Sequence, residues 1–557
     1  MRSALVVTSL ALLTLAGAAP APAPPADPAV RRTLERIRPE ALRGHMRFLA
    51  DDRLEGRGTG TPGFELAAAY MAAQFEGAGL EPGGPSGSWF QRIPFRRLER
   101  DPASGGLVLV RGGQEQPLAH DTDFILGNDA VREESKVSAP LAFAGFGVTA
   151  PEMGYDDFAH VDPRGKVLVL LSGAPKTFPS EQRAYYSNNI IKTRNAVEHG
   201  AIGIITVRTP GDEARAPWER VILQSRLPGM RWLDANGVPN ESHAEIQITA
   251  TMSRAGARTL FADAPVPLDQ VFAAADSGRA QGFPLPVSVR AWSRTRHARA
   301  ESPNVVGLLR GSDPKLRDEV VVFTAHLDHL GIGVPVKGDS IHNGAYDNAT
   351  GCGALVELAR AFAALPQRPK RSLLFVAVTG EEKGLQGSDY FARFPTVPAE
   401  RLVADINMDM FLMLEHMPEV IVFGGEHSTL GASAERAARA VGLKPVPDPM
   451  PEEVIFVRSD QFSFVRQGIP SAYPVLAGAN RVPAGDSLTV TQRWRRTIYH
   501  SPQDDMSQPM DFESGARFIR MQFLLGLEVA NAATRPAWKR GDFFEQKFAG
   551  KGHAPAP

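Results

Sequence analysis

Acidic and imidazole side chains gathered at the ends of apolar runs carry the chemistry open to this sequence. The run VVVFTAHLDH ends in His326 and Asp328, SLLFVAVTGEE ends in Glu381 and Glu382, and VADINMDM ends at Asp409. Asp347 stands in the turn GAYDNATG, ahead of a helical pattern bearing Leu355, Leu358, Ala359 and Phe362, and His500 closes the stretch TIYH. Imidazole nitrogen and carboxylate oxygen are donors that zinc accepts, and a catalytic zinc keeps one position for water or substrate. His326, Asp347, Glu382, Asp409 and His500 are too many for one such ion but suit two with a shared carboxylate. Asp328, two residues past His326 on the same strand face, would hold that imidazole in its ligating tautomer. A glutamate beside a ligand would take a proton from water. Singly, each residue reads as surface charge, and Asp347-Asn348 as a turn or helix cap. Their joint placement favours a metal centre.

The elements that must hold these residues follow from periodicity. Strands are expected at Val305–Leu309, Glu319–Ala325, Ser372–Val378, Val403–Met408, Val420–Phe423 and Ser471–Val475. Helices are expected at Ala354–Leu365, Ser388–Phe394 and Ala432–Val441 between them. Strands alternating with helices predict a three-layer α/β/α unit with a mostly parallel mixed sheet. Ligands of open α/β sheets sit at the carboxyl ends of the strands, where these side chains fall. Upstream, Thr33–Leu49 and Phe64–Gly79 read as helices flanking the Gly-rich turn GRGTGTPG, which lacks the Lys-Ser/Thr pair of a phosphate cradle. From Val137 short β-rich runs follow, including KVLVLL at 166–171, and through Arg290 no pattern or ligand spacing emerges. The expected organisation is a signal peptide at 1–19, a Pro/Ala-rich spacer at 20–31 and a first catalytic part at 32–136. A β-rich inserted unit at 137–295, the catalytic domain at 296–540 and a peripheral polar tail at 541–557 complete it.

Bulk numbers narrow the class. At 557 residues the chain needs more than one structural unit, and 61 basic against 62 acidic residues give no electrostatic support for nucleic acid or an anionic membrane. Met1-Arg2, the apolar Ala4–Leu15 and the small Ala16–Ala19 form a secretory leader too short to span a bilayer, so the expected location is periplasmic or extracellular with no membrane anchor. Cys352 is the only cysteine, which rules out an internal disulfide and a Cys-based metal site, and reads as a buried core thiol.

The motifs AHLDHLG at 325–331, NGAYDNATG at 343–351, TGEEKGLQGS at 379–388, INMDM at 406–410 and YHSPQDD at 499–505 resemble a zinc aminopeptidase family. That family includes bacterial leucyl aminopeptidases, with glutamate carboxypeptidases and glutaminyl cyclases as relatives. The stretches AFAGFGVTAPEMGYDDF, GKVLVLLSG and AVEHGAIGIITV resemble its inserted protease-associated domain. The resemblance implies two zinc ions bridged by Asp347, with His326 and Asp409 on one and Glu382 and His500 on the other. It implies Glu381 as general base toward a bridging hydroxide, Asp328 behind His326, and peptide substrates with a free N-terminus. Gln461 follows Ser459-Asp460 where the family often has His, and Tyr346 replaces a frequently acidic residue. A carboxypeptidase gripping substrate through Arg493, Arg495 and Arg496, a glutaminyl-cyclase-like enzyme and a receptor-like binding protein are the alternatives.

Overall fold

The computed structural model describes residues 27–478, 482, 486 and 488–550. The expected leader and most of the spacer lie outside them, as do residues 551–557. The central sheet contains β1 (Phe90–Arg100), β2 (Phe283–Leu309), β3 (Val320–His326), β4 (Ser372–Val378), β5 (Leu402–Asn407), β6 (Glu419–Phe423) and β7 (Ser471–Ala477). Its order is β1-β2-β4-β3-β5-β7-β6, with β4, β3, β5 and β7 parallel and the outer pairings antiparallel.

Every residue of β3 and β4 is buried, as expected of strands covered on both faces. Their side chains divide with period two. Val321, Phe323, Ala325, Leu373, Phe375 and Ala377 enter one core, packed beneath α1 (Pro39–Leu49), α2 (Pro62–Gly77), α3 (Thr350–Ala363) and α4 (Phe512–Asn531). Val320, Val322, Leu374, Val376 and Val378 enter the opposite core with Phe391, from the helix Gln386–Arg393, and Phe464. The three layers follow from that alternation. The helix expected over Thr33–Leu49 is two, Pro28–Arg36 and Pro39–Leu49, because Pro39 keeps Arg38 extended.

The inserted residues carry the expected strands and add more helices than were expected among them. Strands Glu134–Phe143, Val167–Leu171, Gly203–Val207 and Ile248–Met252 run parallel, with helices such as Ser180–Ser187, Asn189–Glu198 and Trp218–Ser225 between them. These helices are short, so their apolar period is weak in the sequence. β2 starts in this second sheet, against Glu134–Phe143, and continues into the catalytic sheet against β1 and then β4. The two sheets therefore share a strand across residue 295. Buried and exposed positions alternate along its VSVRAWSRTR stretch, a correction to the absence of pattern expected through Arg290. The tail expected to be peripheral is corrected in its first part: the helix Phe543–Phe548 buries Phe544 and Phe548 in the core of the inserted sheet. Charged Lys539, Arg540 and Asp542 hide that FFEQKF has an apolar face.

Candidate active site

His326 ends β3, Glu381 and Glu382 follow β4, and Asp409 follows β5, so parallel strands deliver them to one rim. Gly380 turns the chain after β4 at φ +67°, a left-handed conformation suited to glycine. Asp347 lies in the irregular turn before α3, where Gly351 starts the helix so close to its neighbours that a Cβ would stand 2.3 Å from the Met408 carbonyl.

The structure brings all five expected ligands together. His326 Nε2 lies 3.2 Å from Asp347 Oδ1 and 3.1 Å from Asp409 Oδ1. His500 Nε2 lies 3.2 Å from Asp347 Oδ2 and 3.3 Å from Glu382 Oε2. The two oxygens of Asp347 thus face different imidazoles. Donors around a tetrahedral ion with bonds of ~2.0–2.1 Å stand about 3.3 Å apart, the spacing seen in both groups.

His329, in the quoted motif but given no role from sequence, is a further member. It is fully buried, with Nδ1 2.7 Å from Glu382 Oε1 and 3.8 Å from Asp347 Oδ2. Despite that proximity, both its ring nitrogens and Glu382 Oε1 lack a well-aligned hydrogen bond among the described residues. Buried polar atoms are rarely left so. His326, Asp347 and Asp409 form one group able to hold a metal, and His329, Asp347 and Glu382 another. The donor set and these orphaned atoms fit a cation centre.

The expected role of Asp328 is corrected. His326 Nδ1 meets the main-chain carbonyl of Asp328 at 3.0 Å, not its carboxylate. That carboxylate accepts from Thr59 Oγ1 at 2.9 Å and from the amides of Glu381 and Glu382 at 3.1 and 3.4 Å. The turn after β3 points the Asp328 side chain across to β4, so it shapes the glutamate turn instead. The GRGTG turn supplies another support: Arg57, buried, donates to the carbonyls of Leu49, Leu327, Asn343 and Gly344 and so joins the loops of His326 and Asp347.

Asp504 accepts the amides of Tyr346 and Asp347 at 2.9 and 3.0 Å. Ser459 Oγ donates to Asp409 Oδ2 at 2.5 Å, while Gln461 accepts from Asn407. The inserted residues reach in too: the Gln224 side-chain amide lies 2.9 Å from His500 Nδ1, and Arg220 donates to the carbonyls of Arg495 and Arg496. Arg493 pairs with Asp486, whereas Arg495 lines an opening beside Asp347, Glu381 and Asp409. Cys352 is buried with its thiol against the His326 carbonyl, and burial pushes that thiol up to about 12.

Electrostatics separate the adjacent glutamates. Burial, reinforced by the charges of Glu382 and Asp409, pushes Glu381 well above the usual carboxylate range. Burial also works against charge on Glu382, but His500 and His329 hold it below that range. For Asp347 burial is likewise overcome, by His329, His326 and His500. Neighbouring acids whose pKa values are driven apart are suited to different tasks, one proton carrier and one fixed anion.

Residues 304–523 match the profile of peptidase family M28. The matched segment contains His326, His329, Asp347, Glu381, Glu382, Asp409 and His500, and not Arg57, Thr59 or Gln224. A probable zinc metalloprotease of Pyrenophora tritici-repentis is 35% identical over 258 residues, covering 42% of this chain and 58% of that protein. The mouse aminopeptidase NAALADL1 is 32% identical over 134 residues, 23% of this chain and 16% of its own length. Among solved structures, an aminopeptidase from Aneurinibacillus sp. strain AM-1 superposes with a TM-score of 0.55 at 18% identity, covering 91% of this chain and 97% of that one. At that identity the likeness concerns the fold, a mixed α/β architecture around a large central sheet.

Proposed function

We propose that this protein is a zinc-dependent exopeptidase acting as an aminopeptidase, with two zinc ions bridged by Asp347. The observation that carries the reading is the opposition of each Asp347 oxygen to a separate imidazole. His326 and Asp409 complete one set of ligands, and Glu382 and His500 the other. Zinc held there would polarise the scissile carbonyl and acidify water.

Glu381 takes the proton of the attacking water and passes it to the leaving amine, a task suited to its place beside Asp347 and Asp409. Asp328 fixes the turn carrying it, Ser459 orients Asp409, and His329 and Gln224 back Glu382 and His500. Two cavities, of 540 Å³ and 850 Å³, adjoin the centre between inserted and catalytic residues. The first reaches Glu382 and His500, and the second reaches Glu381. We assign the inserted unit, a protease-associated domain by resemblance, to covering this entrance so that chain ends are admitted. Export follows from the leader composition, and among the described residues no helix is long and apolar enough to cross a membrane.

Arg495 at the opening favours one competing reading, a carboxypeptidase that grips a terminal carboxylate. Mass spectrometry of a peptide digest with free, acetylated or amidated ends separates the two. Loss of residues from free N-termini alone, abolished by chelation and restored by zinc, is expected. Sequential loss from the C-terminus would overturn the aminopeptidase assignment.

A further inference from the structure

Outside the cleft, one group of ligand-type side chains takes no part in the proposed chemistry. His427 lies in the connection between β6 and the helix Leu430–Ala440 and is 2% exposed. Its ring packs against Phe456 and, edge-on, Phe544, with centroids 5.1 and 4.8 Å away. Nδ1 is 2.7 Å from Asp542 Oδ2, while the other oxygen of Asp542 caps the helix Phe543–Phe548. An ionised carboxylate only accepts, so Nδ1–H donates to Asp542, and in the neutral imidazole Nε2 is then the nitrogen that carries the lone pair.

That nitrogen makes no hydrogen bond among the described residues and faces Glu426 Oε1 at 3.5 Å. Glu181, from the inserted helix Ser180–Ser187, completes the group, and one donor atom from each residue lies within 4.8 Å of the others. Neither glutamate has a Lys or Arg partner among the described residues. Glu426 is exposed and Glu181 half-buried, so a divalent cation would sit at the mouth of the group with the oriented, buried imidazole behind it.

We propose that His427 Nε2, Glu426 and Glu181 form a cation site separate from the cleft, which ties the inserted unit to the catalytic sheet. The mixed nitrogen and oxygen donors select a borderline ion such as zinc or manganese over calcium, which takes oxygen ligands. Water would complete its coordination. Asp542 is the positioning residue, and through it the C-terminal helix joins the same tie.

The test is equilibrium dialysis of the full chain against zinc buffered in the micromolar range, with bound metal counted by mass spectrometry. The wild type should hold one more equivalent than E181Q/E426Q, with peptide hydrolysis equal in the two. Asp542→Asn should weaken the extra equivalent by about tenfold or more, as loss of an outer-shell partner does. Zinc should also raise the thermal midpoint of the wild type more than that of the double variant. Equal metal counts, or an extra equivalent appearing only at millimolar zinc, would overturn the site and leave a His427–Glu426 ion pair. Cleft metals enter both counts equally, so an error in the catalytic reading does not alter the difference.

Discussion

Glu381 and Glu382 show how neighbouring side chains of one type acquire different work. Both are half-buried, but Glu382 faces His500 and His329 while Glu381 faces His326 together with the carboxylates of Glu382, Asp409 and Asp460. Glu381→Gln keeps size and metal ligands but cannot accept a proton. Turnover should fall by about 10²–10⁴-fold, the usual contribution of a general base, with bound zinc unchanged. Steady-state rates beside metal analysis check this, and turnover within a few-fold of wild type would remove Glu381 from the chemistry. His342 gives a stability prediction. Burial, then the neighbouring His329 and His500, lowers its pKa from 6.5 to about 4. The unfolded chain thus binds the proton first, so the contribution is present above pH 6.5 and is lost as pH falls toward 4. Its size is up to about 3 kcal/mol on the linkage relation. Urea unfolding of metal-free protein across that range should show a steeper pH dependence than His342→Gln does.

At the scale of elements, the apolar strands, the helices between them and the gathering of acidic and imidazole residues on one rim were legible. Continuous burial in β3 and β4 writes itself into VVVFTA and SLLFVAV, and His326, Glu381 and Glu382 stand where those runs stop. Supports reached through long chain separations were not legible. Arg57 resembles any solvated arginine in a Gly-rich turn, and only folding places it under four carbonyls of three segments. The sequence likewise suggested the Asp328 carboxylate as partner of His326, since strand alternation cannot reveal the turn that swings it toward Thr59 and the glutamates. Arg57→Met should leave those buried carbonyls unpaired at about 1–3 kcal/mol apiece. A thermal midpoint close to wild type, with unaltered zinc affinity, would show that the loops hold themselves.

Over the whole molecule, the catalytic and inserted units behave as one structure. They share β2, and the inserted helix Trp218–Ser225 carries both Gln224 against His500 and Arg220 against the preceding main chain. A boundary drawn from texture at residue 295 missed this, because a shared strand leaves no linker composition to read. On the two-zinc proposal, Gln224→Ala should weaken zinc binding at His500 by about tenfold, the lower end for an outer-shell partner, although Gln224 lies outside the matched segment. Competition with a chromophoric chelator measures it, and unchanged affinity would reduce the inserted unit to a cover.

Anomalous diffraction at the zinc edge, from crystals equilibrated with zinc, tests the two-ion centre most directly. Two peaks about 3.5–4 Å apart should flank Asp347, one beside His326 and Asp409 and one beside Glu382 and His500. A single peak there, or none, would contradict the account.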